Sequence, residues 1–385
     1  MFQKLFRLRK HRSSSSICFP YIFYFLTVLL FIVCLFISDL LPKRSQIFFE
    51  NVYDTFKQLT WENILTEKYI RVHFVPFLYV NICKNDDQLL IYVLSTLKNS
   101  ERRNHIRKTW ANKKYHSMLS KTCFIFIVGT QASGMDTENY QKHLNNEQQL
   151  YNDIVQINHR ESYQNVVYKE ISALQWSYKY YRFIPFLFKT DDDLIIDSIF
   201  LSSIVHSLIR KDVKNTYADK NRPHLMSSLV PINHKAFFKG WGMGQQPTLR
   251  EGKFGISLKV WPHEILPPYC SGFGFIMSSG VRDRLYRASL FYRTEYVAWI
   301  GDVFISGFLA RVAQVQCTEF GIDYEQTGSK NCSCLMKKKS MLTVCSTVLH
   351  MGIEEYDEYE KAWKFILQRH QPIAANETEN KDEKC

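Results

Sequence analysis

None of the ten cysteines forms a Cys-x-x-Cys pair. The closest two, Cys332 and Cys334, are one residue apart, a poor spacing for zinc, so a structural zinc site is disfavoured. No acid occurs in the first twelve residues, which carry Lys4, Arg7, Arg9, Lys10 and Arg12. No charge occurs from Ile17 to Ile37. At about 1.5 Å per residue that run reaches about 30 Å, the thickness of a bilayer core. No small-residue cleavage site follows before Asp39-Leu40-Leu41-Pro42, which argues against a removed signal peptide. Five basic residues precede the run and only Lys43 and Arg44 follow closely, so the positive-inside rule predicts a cytosolic N-terminus.

From this the expected organisation is a cytosolic tail over 1–16, a signal anchor over 17–38, a stem over 39–85, a catalytic domain over 86–371 and a polar tail over 372–385. The far side of the membrane should be oxidising. Eight cysteines lie there, from Cys83 to Cys385, and disulfides are expected without a choice among pairings. Two sequons, at Asn331 and Asn376, fit a glycosylated lumenal surface. The net charge of +12 would suit a nucleic-acid partner, but much of it precedes the apolar run, and a lumenal domain meets no nucleic acid.

The catalytic region alternates strands and helices, which predicts an α/β layered domain. Strands are expected near 89–96, 123–129 and 153–156, in the two apolar runs that flank the acids at 191–193, and after the prolines and glycines of the stretch 266–278. Helices are expected over 100–110 with Ser100 as cap, 137–151, 165–181, 198–210, 280–288 and 354–369, and one starting at Asp302. The Gly- and aromatic-rich stretch 235–259 reads as a loop able to lie over a ligand.

The centre of the chain is Phe186-Leu187-Phe188-Lys189-Thr190-Asp191-Asp192-Asp193-Leu194-Ile195-Ile196. Three adjacent carboxylates between two buried strands repel one another unless a cation sits among them. On an extended backbone, Asp191 and Asp193 would share a face opposite Asp192. They offer hard oxygen ligands at a strand's carboxyl end, suited to Mn²⁺, with Mg²⁺ as the alternative. Arg103 and Arg107 lie one turn apart and suit an anionic ligand such as a diphosphate. Asp302 is a lone acid in an apolar setting, either a helix cap or a working carboxylate.

These pieces resemble the β-1,3-galactosyltransferase and β-1,3-N-acetylglucosaminyltransferase family. The resemblance covers about residues 88–370. It rests on Glu101-Arg102-Arg103 with Ile106-Arg107 and Thr109-Trp110, on Asn152 to Gln156 and Glu161 to Asn165 with Lys169, and on Lys189 to Asp193. Pro267 to Gly272, and Asp302-Val303 with Gly307, complete it. It implies an inverting, metal-dependent, type II Golgi membrane enzyme of the GT-A fold, a central mixed sheet flanked by helices. Such an enzyme moves a hexose, galactose for preference, from a UDP-sugar to an acceptor glycan on lipid or protein.

Asp193 and His350 would hold the metal, with Asp191 beside them. Arg103, Arg107, Lys169, Asp191 and Asp192 would contact the nucleotide-sugar. Trp241, Tyr269, Gly272 and Phe273 would line the sugar pocket, and Asp302 would be the general base. Two departures stand out. Gly301 occupies a place where the family often has Glu, which removes a charge and would lower the pKa of Asp302 or alter the acceptor site. Phe273 occupies a place where it often has Gly, which would narrow the wall. A catalytically silent glycan- or partner-binding protein of the same fold is the rival expectation.

Overall fold

Short runs with no polar face make the strands at the centre of this protein. The computed structural model describes residues 82–131, 137–210, 237–326, 332–346 and 353–371, all within one unit, Leu59–Cys385. The expected anchor at 17–38, the flanking tail, the stem up to residue 81, His350, both sequon asparagines and the tail from 372 lie outside the described residues. Among those described, no helix is long and apolar enough to cross a membrane.

Strand β1 (Leu89–Leu94) is buried along its whole length. It lies between β2 (Thr122–Thr130) and β4 (Phe186–Asp191), parallel to both, with Leu94 level with Ile127 and Asp191. β3 (Ile154–Arg160) adds to β2 in parallel. β7 (Tyr269–Ser278) pairs antiparallel with β4, then come β6 (Phe238–Gly244) and β8 (Thr318–Glu319). The seven-stranded order is β3-β2-β1-β4-β7-β6-β8. A three-stranded sheet is formed by β5 (Leu194–Ile196), β10 (Leu342–Ser346) and β9 (Asp323–Gln326).

A parallel sheet covered on both faces needs apolar residues at every position, not every second one. Here Leu89, Ile91 and Val93 enter one core and Leu90, Tyr92 and Leu94 the other. The first core includes residues of α1 (Ser100–Lys108), α4 (Ser198–Arg210) and α7 (Ile353–His370). The second includes residues of α3 (Val166–Tyr180) and α5 (Ser279–Ser289). Helix α2 (Thr137–Tyr151) has the bounds its spacing suggests. The mixed α/β architecture expected from the alternation is present.

Three expectations change. Helix α1 starts at Ser100, so Asn99 rather than Ser100 takes the capping place, with no side-chain cap bond. The stretch 235–259 is not wholly a loop, since β6 uses its glycines to run close against β7. A Cβ on Gly240 would meet Cys270 and Phe275 at 2.9 Å. The extended run of acids ends at Asp191, where the chain turns through Asp192 and Asp193 into β5.

Six of the eight cysteines beyond the apolar run form disulfides: Cys83–Cys123, Cys270–Cys317 and Cys332–Cys345, the last joining α6 (Cys332–Lys338) to β10. Cys83–Cys123 closes 40 residues around β1. Loop-closure entropy assigns it about 4 kcal/mol, so the paired Cys83→Ala, Cys123→Ala variant should lose about that much unfolding free energy, read as a lower urea midpoint. An unchanged midpoint would show that the reduced chain gains no freedom there.

Candidate active site

Parallel strands of α/β sheets present ligands at their carboxyl ends. Beyond Leu94 of β1 and Asp191 of β4 lies a cleft of about 570 Å³. Ser95, Thr96, Lys169, Asp191, Asp192, Asp193, Tyr269, Gly272 and Asp302 all line it. All three acids therefore face one cleft, because the turn after Asp191 breaks the alternation expected of an extended run.

The acids do not have equal partners. Lys189 is 2% exposed, and its Nζ lies 2.9 and 3.0 Å from the two oxygens of Asp191. Its third bond goes to the carbonyl of Gly272, 2.6 Å away. Burial pulls the Lys189 ammonium down, but Asp191 and Glu170 more than offset it and hold the pKa above its ordinary value. Asp192 accepts from Asn99 Nδ2 at 2.8 Å and lies 3.5 Å from Arg102. Burial, with Asp191 and Asp192 beside it, pushes Asp193 up to about 7. A carboxyl raised by burial and by like charges is what a divalent cation would relieve. The hard oxygen donors fit Mn²⁺ or Mg²⁺, with Asp193 the first candidate ligand, since Asp191 already holds a lysine.

Asp302 sits across the cleft, at the start of a π-helical segment, Val303–Leu309, that continues as a short α-helix over Ala310–Val312. Its Oδ1 accepts from the N–H of Val303 at 2.9 Å and its Oδ2 from the N–H of Gly272 at 2.8 Å. It is thus both a helix cap and a cleft residue. Burial raises its pKa against the pull of Lys189 and of those two backbone donors. Gly272 lies between the two sides of the cleft, its N–H bonded to Asp302 and its carbonyl to Lys189.

Lys169 is buried at the cleft edge. Its Nζ donates to the carbonyl of Ser95 and pairs with Glu161, both at 2.6 Å. Arg103 and Arg107 do not line the cleft. Arg103 forms a two-pronged bond to Glu147 at 2.7 and 2.8 Å, and its Nη1 donates to Ser95 Oγ at 2.9 Å and to the carbonyl of Thr96. Arg107 pairs with Asp153 and Glu147, each at 2.7 Å. Arg103 holds the Ser95–Thr96 segment from behind, and Arg107 joins it through the shared Glu147, so neither faces the cleft. Their carboxylate partners lie 40 to 46 residues away along the chain.

Trp241 and Phe273 also lie away from the cleft. They stack on each other at 5.6 Å, and Trp241 stacks on Tyr324 of the smaller sheet at 5.8 Å. Phe273 therefore does not narrow the cleft wall. Tyr163 and Trp299, which the sequence reading did not single out, form the rim with Phe254. Their ring centroids are 5.4 Å (Tyr163–Trp299) and 6.4 Å (Phe254–Trp299) apart, and Lys253 lies over Tyr163. Lys189 and Glu170 were likewise missed. Each sits at an apolar position of its own element's pattern, and that was the available signal.

The family model described as Galactosyltransferase matches residues 101–320. The chain belongs to that family. It is 26% identical to a lactosylceramide 1,3-N-acetyl-β-D-glucosaminyltransferase of Xenopus tropicalis, over 58% of this chain and 54% of that protein. It is 27% identical to UDP-GlcNAc:βGal β-1,3-N-acetylglucosaminyltransferase 7 of Rattus norvegicus, over 63% of this chain and 55% of that protein. With UDP-GalNAc:β-1,3-N-acetylgalactosaminyltransferase 1 of the same species it shares 28% identity, over 54% and 55%. The chain thus spans about half the length of the curated relatives it matches.

Proposed function

We propose that this protein transfers a hexose or N-acetylhexosamine from a UDP-sugar to a hydroxyl of an acceptor glycan, with inversion and formation of a β-1,3 linkage. The observation that carries this is Asp302, a half-buried carboxylate aimed by two backbone donors across a cleft from the acidic end of β4. Asp302 takes the proton of the acceptor hydroxyl as that oxygen attacks the anomeric carbon and the bond to the diphosphate breaks. One carboxylate on the acceptor side suffices for a single displacement, so a second nucleophilic carboxylate is not required.

Asp193, with the Asp191 and Asp192 carboxylates beside it, would hold a divalent cation, which supplies charge stabilisation to the departing diphosphate. Burial raises the pKa of Asp191 against the pull of Lys189; Lys189 also bonds the Gly272 carbonyl, and so sets the spacing between the two sides of the cleft. The names of the relatives favour an N-acetylhexosamine donor over the galactose expected from the resemblance. The uncharged run Ile17–Ile37, its basic flank and the three disulfides support a Golgi type II anchor with this unit in the lumen.

Asp193, pushed up to about 7 by burial and its neighbouring acids, would have to give up its proton to hold a cation. Mn²⁺ affinity should therefore rise up to about tenfold per pH unit below 7 and level off above it. Calorimetric titration of Mn²⁺ with UDP present, between pH 5.5 and 8.5, measures this. Affinity independent of pH, or UDP binding untouched by a chelator, would rule out a metal held by these acids.

A further inference from the structure

The cleft holds one more carboxyl that the proposed chemistry does not use. Glu170, on α3, is 1% exposed and lines the same cleft as Asp302, Lys189 and Asp191. Its Oε2 is buried with no hydrogen-bond partner among the described residues. A buried polar atom left bare costs folding free energy, and a ligand group that completes it accounts for that cost.

Gly301 shapes the place. A Cβ at residue 301 would overlap Glu170 Oε1, so the carboxyl occupies the space a side chain at 301 would take. Positions 170 and 301 therefore act as one unit, in which α3 supplies the acid directly beneath the residue that precedes Asp302. The charged groups felt by Glu170 are Lys189 and Asp191 on one side of the cleft and Asp302 on the other. A sugar about to be transferred has to lie between those two sides.

We propose that Glu170 is a specificity-determining residue for the donor, hydrogen-bonding a hydroxyl or acetamido group of the hexose of a UDP-sugar. This rests on the transferase function proposed above. Burial, reinforced by Asp191 and Asp302 against the pull of Lys189, pushes Glu170 up to about 8, so its carboxyl is neutral near pH 7. A neutral carboxyl donates through its O–H and accepts through its carbonyl oxygen, and adds no charge to a cleft already rich in aspartate.

The test uses the full chain with Mn²⁺. Calorimetry compares UDP, UDP-galactose, UDP-N-acetylglucosamine and UDP-N-acetylgalactosamine as titrants, and a ligand-free thermal melt reports folding. Glu170→Met keeps the length and removes the polar atoms. It should melt higher, by about 3 °C or more, because the bare carboxyl is gone. It should bind UDP within about twofold of the wild type yet lose about tenfold or more in affinity for the UDP-sugar that the wild type prefers. Glu170→Gln, neutral and still hydrogen-bonding, should stay within about threefold.

Gly301→Ala, whose methyl group displaces the carboxyl, should reproduce the loss without removing Glu170 and serves if the methionine variant does not fold. Unchanged UDP-sugar affinity in the folded Met or Ala variant overturns the assignment, as does a glutamine variant that loses as much as methionine. A wild-type protein that binds no UDP overturns the transferase function itself, which separates the two failures.

Discussion

Under the proposed transfer, Asp302→Asn should slow the reaction by about 10²- to 10⁴-fold, the usual contribution of a general base, and should leave UDP affinity nearly unchanged. Asparagine is the informative replacement because Asp302 has two jobs. Its oxygens accept from Val303 and Gly272, and so cap the π-helical segment and tie it to β7. Alanine would remove both bonds, costing about 1 kcal/mol for the cap alone, and would confuse misplacement with lost chemistry. Asparagine keeps one acceptor and the shape. Single-turnover transfer rates beside a melting curve separate the cases. Equal rates in a folded Asp302→Asn variant would remove Asp302 from the chemistry.

Arg103→Met should destabilise the protein by about 2–3 kcal/mol, because Glu147 keeps only Arg107 and both Ser95 Oγ and the Thr96 carbonyl lose a charged donor. Burial tends to raise the pKa of Glu147, but hydrogen bonds and charge from Arg103 and Arg107 win and hold it below the usual range. The stabilisation is therefore full above the unfolded-state pKa of about 4.5 and is lost as pH falls through the lower folded value. The loss in Arg103→Met should be large in urea at pH 7 and shrink toward pH 3. Had Arg103 faced the nucleotide, the same variant would keep its stability and lose UDP affinity. That outcome would contradict the ion-pair network behind Ser95 and Thr96.

The α/β order was legible because strands of a sheet buried on both faces leave unbroken apolar runs, as in Leu89–Leu94 and Phe186–Phe188. Helices were legible for a different reason, the spacing of one buried face, as through Val167, Ile171, Leu174 and Tyr178. What failed depended on distance along the chain. Nothing near Arg103 reveals Glu147, so two arginines on one helix face read as a ligand site. Nothing near Trp241 reveals Tyr324. The turn at Asp192 follows from β5 leaving to pair with β10, which lies some 150 residues later.

Two site residues carried a local signal that was passed over. Glu170 stands on the apolar stripe Val167, Ile171, Leu174 at helical spacing, and Lys189 stands inside a buried strand on the same face as Asp191. A charged residue in a buried position of its own element has a partner or a function. Lys189 has Asp191 and the Gly272 carbonyl as partners. Glu170 Oε2 has none among the described residues, and the donor sugar is the group assigned to it.

The most direct measurement is UDP release by the full chain from UDP-N-acetylglucosamine, UDP-N-acetylgalactosamine and UDP-galactose, with Mn²⁺ or chelator, with and without a panel of acceptor glycans. The product linkage is then read by NMR. An inverting transferase working through Asp302 predicts release that requires metal and acceptor, favours one donor, yields a β-1,3 linkage and collapses in Asp302→Asn. No acceptor-dependent release from a folded protein that binds UDP would contradict transfer and leave a protein that binds nucleotide-sugars without reacting them.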